Sequence, residues 1–258
     1  MKVLFSVLSY YPSFITDESI NLGILFHNVD EDIRVFETTT NWNRIKHFDD
    51  EIDIEMLKDI LIGIRTEVSQ ENLFNYKEKF SMEKYIKFYV NELKFPDITN
   101  ATTNSFYDFI EETKKMFLRY DYDKAERPDK DEQIRYIKNL LKNNEVEFTT
   151  KYIPGEHREN VQYDYIIDEY AFKLFTFEGK KITRLVNSAK AWAYTAKEME
   201  TKYKTIFLYD IERNDETFDA IMHILKSSSY KVLKIDQAIE FILKLNDKTK
   251  PLIQTKIG

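Results

Sequence analysis

The stretch "YDYIIDEYAFKLFTFEG", residues 163–179, decides how the C-terminal half folds. It holds two strand-like runs back to back, "YDYIID" and "AFKLFTFE". Asp164 stands near the start of the first run and Lys173 inside the second. Successive strand side chains point to opposite faces, so Ala171 and Lys173 share a face. Working outward, "PDKDEQIRYIKNLLKNN" opens a helix, with Pro128 near its start, acids in its first turn and an apolar stripe of Ile134, Ile137 and Leu141. A strand "EVEFTTKYI" follows, then a loop with Pro154, Gly155 and His157, then the two runs. A helix over about 183–202 carries Leu185, Ala189, Trp192, Ala196 and Met199 at helical spacing. Strand "KTIFLYD", helix "ETFDAIMHILKS", strand "YKVLKI" and helix "DQAIEFILKL" complete the order, and the tail "KTKPLIQTKIG" reads as loose. Alternating helices and strands predict an α/β mixed sheet.

Upstream the pattern changes. Residues 2 to about 50 read as a small antiparallel sheet. "KVLFSVLSYY" is rich in β-formers, and "IRVFETTT" follows a turn at "VDEDI". "SINLGILFHN" alternates, with Ile20, Leu22, Ile24 and Phe26 on one face. Residues 52 to about 120 read as helices, with Ile54, Leu57, Leu61 and Ile64 on one stripe and Asn104 or Ser105 as an N-cap. "NELKFPDITNATTNS" reads as a loop between two of them. The charged stretch "YDYDKAERPDKDEQ", 120–133, is the expected boundary between domains 1–122 and 123–258. The expected class is α+β for the first and α/β for the second.

The 258 residues and 43% hydrophobic content suffice for two buried cores. The formal charge of −7 argues against general nucleic-acid binding, which rests on phosphate neutralisation, but permits local basic patches. The absence of cysteine excludes disulfides, thiolate metal sites and cysteine nucleophiles, and fits a cytoplasmic protein. No apolar run approaches 18 residues, so no membrane span is expected. Gly-rich phosphate loops and G-x-S-x-G are absent, which removes P-loop, Rossmann and serine-hydrolase chemistry. The four histidines lack metal-ligand spacing.

The order helix, three strands, helix, strand over about 129–210 resembles the core of the PD-(D/E)XK nuclease superfamily. That resemblance implies an αβββαβ(αβα) nuclease-like mixed sheet. It implies Asp164 as the first acid and Lys173 as the lysine that positions water, with Mg²⁺ as cofactor in that reading alone. The second acid of the pattern falls on Ala171. Glu169 and Glu178 are displaced substitutes, and Glu132 on the preceding helix is a candidate second ligand beside Asp164. Lys190 and Tyr194 share one face of the long helix and are candidate phosphate contacts. His157, in the loop before the second core strand, is a candidate contact for a phosphate or partner.

The stretch "FSVLSYYPSFITDESINLGILF" resembles the DUF3037 family in its Tyr-x-Pro turn (Tyr10, Pro12) and its E-x-x-N-x-G pattern (Glu18, Asn21, Gly23). The resemblance implies no assigned chemistry. It associates the chain with conflict between phage and host. Glu18 and Asn21 are candidate binding residues. Their plain alternative is structural: Gly23 for close backbone packing and Asn21 for a bond to a neighbouring turn. Asp164 and Lys173 likewise have a plain alternative, as a charged pair on a sheet face.

The expectation is a non-catalytic binding protein, recognising a protein or protein–nucleic-acid target in defence or counter-defence. The alternatives are a Mg²⁺-dependent nuclease and an antitoxin-like partner protein. A protein is the first expected partner and nucleic acid the second.

Overall fold

The computed structural model describes the chain except residues 14, 16, 17, 70–79, 96, 97, 178, 179, 211–214, 236, 240, 243, 244 and 246–258. It divides into two compact units, Met1–Asp129 and Lys130–Gly258. Glu178 and the tail lie outside the described residues, as does part of the last expected helix, 236–245. Among the described residues no helix is long and apolar enough to cross a membrane.

The first unit runs β1 (Lys2–Tyr10), β2 (Ile20–Asn28), β3 (Ile33–Thr38), α1 (Trp42–Phe48), α2 (Ile54–Ser69), α3 (Met82–Ile86), β4 (Leu93–Lys94), β5 (Thr99–Thr102) and α4 (Phe106–Phe117). Ser105 caps α4, its hydroxyl accepting the Asp108 N–H. The sheet is antiparallel, in the order β3-β2-β1-β4, with β5 also on β1. The stretch expected to be a loop thus supplies β4 and β5. Together they pair the backbone groups on the edge of β1 that β2 leaves open.

Both faces of β1 and β2 are buried. On one side Leu8, Ile20, Leu22 and Leu25 join Leu57, Leu61 and Ile64 of α2. On the other, Phe5 and Phe26 stack with each other and meet Phe109 of α4 edge-on. Ile20 and Leu22 therefore do not share a face with Phe26, against the simple alternation. The register supplies the reason: Leu8 pairs with Gly23 but Ser9 with Asn21, so Leu22 is an extra residue. Such a bulge reverses the alternation beyond it.

The second unit runs α5 (Lys130–Asn143), β6 (Ile153–Pro154), β7 (Asn160–Val161), β8 (Tyr165–Ile167), β9 (Tyr170–Phe175), α6 (Ile182–Glu198), β10 (Lys204–Tyr209), α7 (Glu216–Lys226) and β11 (Lys231–Lys234). The opening stretch is the β8–β9 hairpin, turning at Asp168 with φ 48°. β9, β10 and β11 are parallel neighbours joined through α6 and α7. An isolated bridge from Thr149 to Ile166 extends the sheet beyond β8. The expected strand 145–153 is otherwise reduced to β6, which forms a small hairpin with β7. Pro154 lacks an N–H, and Arg158 adopts φ 68°, so the chain turns back on itself there. Helix α6 lays Leu185, Ala189 and Ala196 over Phe175 and Phe207, and α7 adds Phe218, Ile221 and Leu225.

Candidate functional site

The β8–β9 hairpin brings Asp164 and Lys173 together. The Asp164 amide donates to Phe172 O at 3.0 Å, which fixes its backbone beside β9. Its carboxylate accepts the Leu174 N–H at 2.7 Å. Lys173 Nζ lies 3.5 Å from Asp164 Oδ1. It also donates to Gln162 O at 3.1 Å and sits 4.3 Å from the centroid of the Trp192 ring on α6.

The third group at this point is a cation. Lys130, at the start of α5, donates to Leu174 O at 2.9 Å and stands 3.8 Å from Asp164 Oδ2. Glu132, two residues on, is exposed on the same helix. Ala171 is fully buried beside Val161, Tyr163 and Ile166, with Trp192 and Tyr203 against them. Glu169 lies in the hairpin turn, at the opposite end of β9 from Leu174, and bonds to Lys204. Among the described residues, the carboxylate beside Lys173 therefore already holds an amide and two ammonium groups.

A cavity of about 390 Å³ opens from this point, between the end of β9 and the first turns of α6. Lys130, Lys173, Lys180, Arg184, Ser188 and Trp192 line it. Lys180 bonds to the Thr176 hydroxyl. Burial pushes the Lys173 ammonium below its ordinary pKa, Asp164 opposes that shift, and Lys130 adds to it. Lys180 is also lowered, first by burial, then by Lys130, with Asp210 opposing and Arg184 adding. The Asp210 carboxylate accepts the Phe177 N–H at 2.9 Å, at the end of β10.

The other expected residues lie elsewhere. Lys190 is exposed on α6, outside the lining of the cavity. Tyr194 is exposed, and its hydroxyl hydrogen-bonds Glu198, which raises its pKa. His157 Nε2 stands 3.0 Å from Glu198 Oε1. Glu156, His157 and Glu198 each offer a ligand atom, all within 4.8 Å of one another. Spacing along the chain does not reveal this cluster, because Glu198 lies about 40 positions from Glu156 and His157 and meets them only after folding.

In the first unit Glu18 is exposed. Asn21 accepts from the Ser9 hydroxyl at 3.0 Å and donates to Phe117 O at 3.1 Å. A Cβ on Gly23 would stand 2.7 Å from Glu37 O and 2.9 Å from the Phe36 ring. Asn21 and Gly23 thus flank the Leu22 bulge, one tying it to the end of α4, the other letting β3 approach.

Residues 5–93 match DUF3037, a protein family of unknown function. The match spans roughly a third of the chain and includes the Asn21–Gly23 bulge. The chain is similar to DUF3037 over that segment; the second unit lies outside it. No curated protein and no solved structure matches the chain.

Proposed function

We propose that the protein is a non-catalytic binding protein. Its target is a protein or protein–nucleic-acid assembly, and its setting is the conflict between phage and host. The setting rests on the DUF3037 likeness alone. The C-terminal unit is read as nuclease-like in architecture. The sheet order supports this: the Thr149 bridge, β8, β9, β10 and β11 follow one another in space as in sequence, with β8 antiparallel to β9.

The observation that carries the non-catalytic reading is the environment of Asp164. A Mg²⁺-dependent hydrolase needs oxygen ligands around the ion, several of them carboxylates or waters. Here Asp164 is enclosed by the Leu174 amide, Lys173 and Lys130. The position expected to hold a second acid is an alanine packed in an apolar cluster. A dication beside Asp164 would share that carboxylate with two ammonium groups whose charges repel it.

The test is incubation with single- and double-stranded DNA and RNA in Mg²⁺ or Mn²⁺, beside Lys173→Ala. The expected result is no cleavage above the protein-free control. Cleavage that needs the metal and disappears in Lys173→Ala would overturn the reading in favour of a nuclease.

A further inference from the structure

The chain carries a net charge of −7, yet the cavity at the end of β9 has the opposite sign. Three ammonium groups and one guanidinium line it, from Lys130, Lys173, Lys180 and Arg184. Two carboxylates, Asp164 and Asp210, act on them. Among the described residues the cations thus outnumber the acids around one concave surface.

Helix α6 sharpens the imbalance. Its start reads "KKITR", residues 180–184, with no acid in the first turn and no side chain capping the free N–H groups. The N-terminal end of a helix is the positive end of its dipole. Acids are stabilised there and cations disfavoured. Among the other helices α2, α3, α4, α5 and α7 each carry an acid in the first turn, and the seven-residue α1, which carries none, is capped instead by the Asn41 side chain. At α6, a 17-residue helix, the rule is reversed where the helix meets the cavity.

We propose that this cavity is a phosphate-binding site, taking the phosphate group of a nucleotide or of a nucleic-acid strand. The proposal rests on the reading of the protein as a binder and names what the second unit binds. A phosphate satisfies the unpaired amide groups at a helix start and forms charge-assisted bonds with amines and a guanidinium. Arg184 offers a planar fork suited to two phosphate oxygens, and Ser188, one turn further along α6, adds a hydroxyl. A volume of about 390 Å³ exceeds one phosphate and leaves room for part of its ester substituent beside Trp192. An anion in place also relieves the mutual repulsion that Lys130, Lys173 and Lys180 now exert.

Trp42 and Trp192 are the two tryptophans, so Trp42→Phe makes emission a reporter of the cavity. That variant is titrated calorimetrically and by fluorescence, in EDTA at constant ionic strength. The probes are inorganic pyrophosphate and one oligonucleotide with either a 5′-phosphate or a 5′-hydroxyl. Saturable heat with a matching change in Trp192 emission is expected for at least one phosphate probe. Binding should weaken about tenfold or more in the Lys180→Ala/Arg184→Ala double variant, both positions being exposed, with its thermal midpoint no lower than the parent's. Pyrophosphate alone binding identifies a free phosphate ligand. Preference for the 5′-phosphate identifies a strand end, and equal binding of both oligonucleotides identifies the backbone. Absence of saturable binding by every probe overturns the site, as does unchanged affinity in the double variant. EDTA keeps this test apart from the cleavage assay. Binding found alongside metal-dependent cleavage refutes only the non-catalytic reading, and no binding with no cleavage refutes only the phosphate site.

Discussion

Restoring the missing acid gives the sharpest check on the reading of the β9 stretch. Ala171 has no exposed surface and packs in an apolar cluster, so Ala171→Asp buries a carboxyl group there. Such a group keeps its proton rather than carry an unsolvated charge. Holding an aspartate neutral at pH 7, against an ordinary pKa of about 3.9, spans about three pKa units, or about 4 kcal/mol. Ala171→Asn shares the bulk and polarity without that cost, so both variants lose about 1–3 kcal/mol by overpacking and only the aspartate loses more. The sign follows from linkage. The folded state of the aspartate variant binds a proton that the unfolded state releases above pH 4, so its stability falls as pH rises from 4 to 7. Urea unfolding followed by Trp192 emission in the Trp42→Phe background, at pH 4.5, 5.5 and 7, should show the two variants converging in acid and about 4 kcal/mol apart at neutrality. Equal stability at pH 7 would refute the reasoning. It would mean that the position accepts a charge and that one substitution rebuilds a two-carboxylate site.

Three further outcomes are expected. Gly23→Ala should lose about 1–3 kcal/mol in denaturant unfolding, because the new methyl meets Glu37 O, a backbone atom, and the Phe36 ring; an unchanged midpoint would remove the steric account of the glycine. Thr205→Val strands the buried Tyr163 hydroxyl, now 2.9 Å from the threonine, and should cost about 1–3 kcal/mol, most of it recovered when Tyr163→Phe is added; a double variant as unstable as Thr205→Val alone contradicts this. Asp164→Asn removes the group that holds the Lys173 ammonium up against burial, so the Lys173 pKa should fall further. Side-chain NMR titration reads this directly, and a rise would show that Asp164 is not its counter-ion.

The sheet was legible because its signals are local. The two runs in 163–179, the turn between them and the stripes of α6 and α7 are each set by neighbours within a few residues. Where pairing partners are distant, the sequence misled. Nothing in "ITNAT" announces that its backbone completes β1, 94 or more positions earlier, and a run of β-formers at 145–153 yields one bridge at Thr149 and the start of the short β6–β7 hairpin at Ile153. The bulge at Leu22 shows the finer limit: one inserted residue reversed a face that alternation had assigned. The convergence of Asp164 and Lys173 was also local, fixed by the hairpin register. The rest of the candidate site was not, since Lys130 arrives from another helix, Lys180 from just before α6, and Arg184 and Ser188 from α6 itself.

Spacing alone makes Asp164 look like half of a metal site; in the reading proposed above, charge balance gives it the part of a counter-ion. Lys130 and Lys173 share one corner of the sheet, and the Lys173 ammonium, lowered by burial and further by Lys130, calls for a counter-charge. Asp164 supplies that charge between Lys130 and Lys173 while its second bond, to the Leu174 amide, fixes its position. One carboxylate between two ammonium groups leaves a positive excess, and the start of α6 adds Lys180, Arg184 and the helix dipole to it. On the proposed reading that excess complements an anion brought from outside and opposes a cation, a metal ion included.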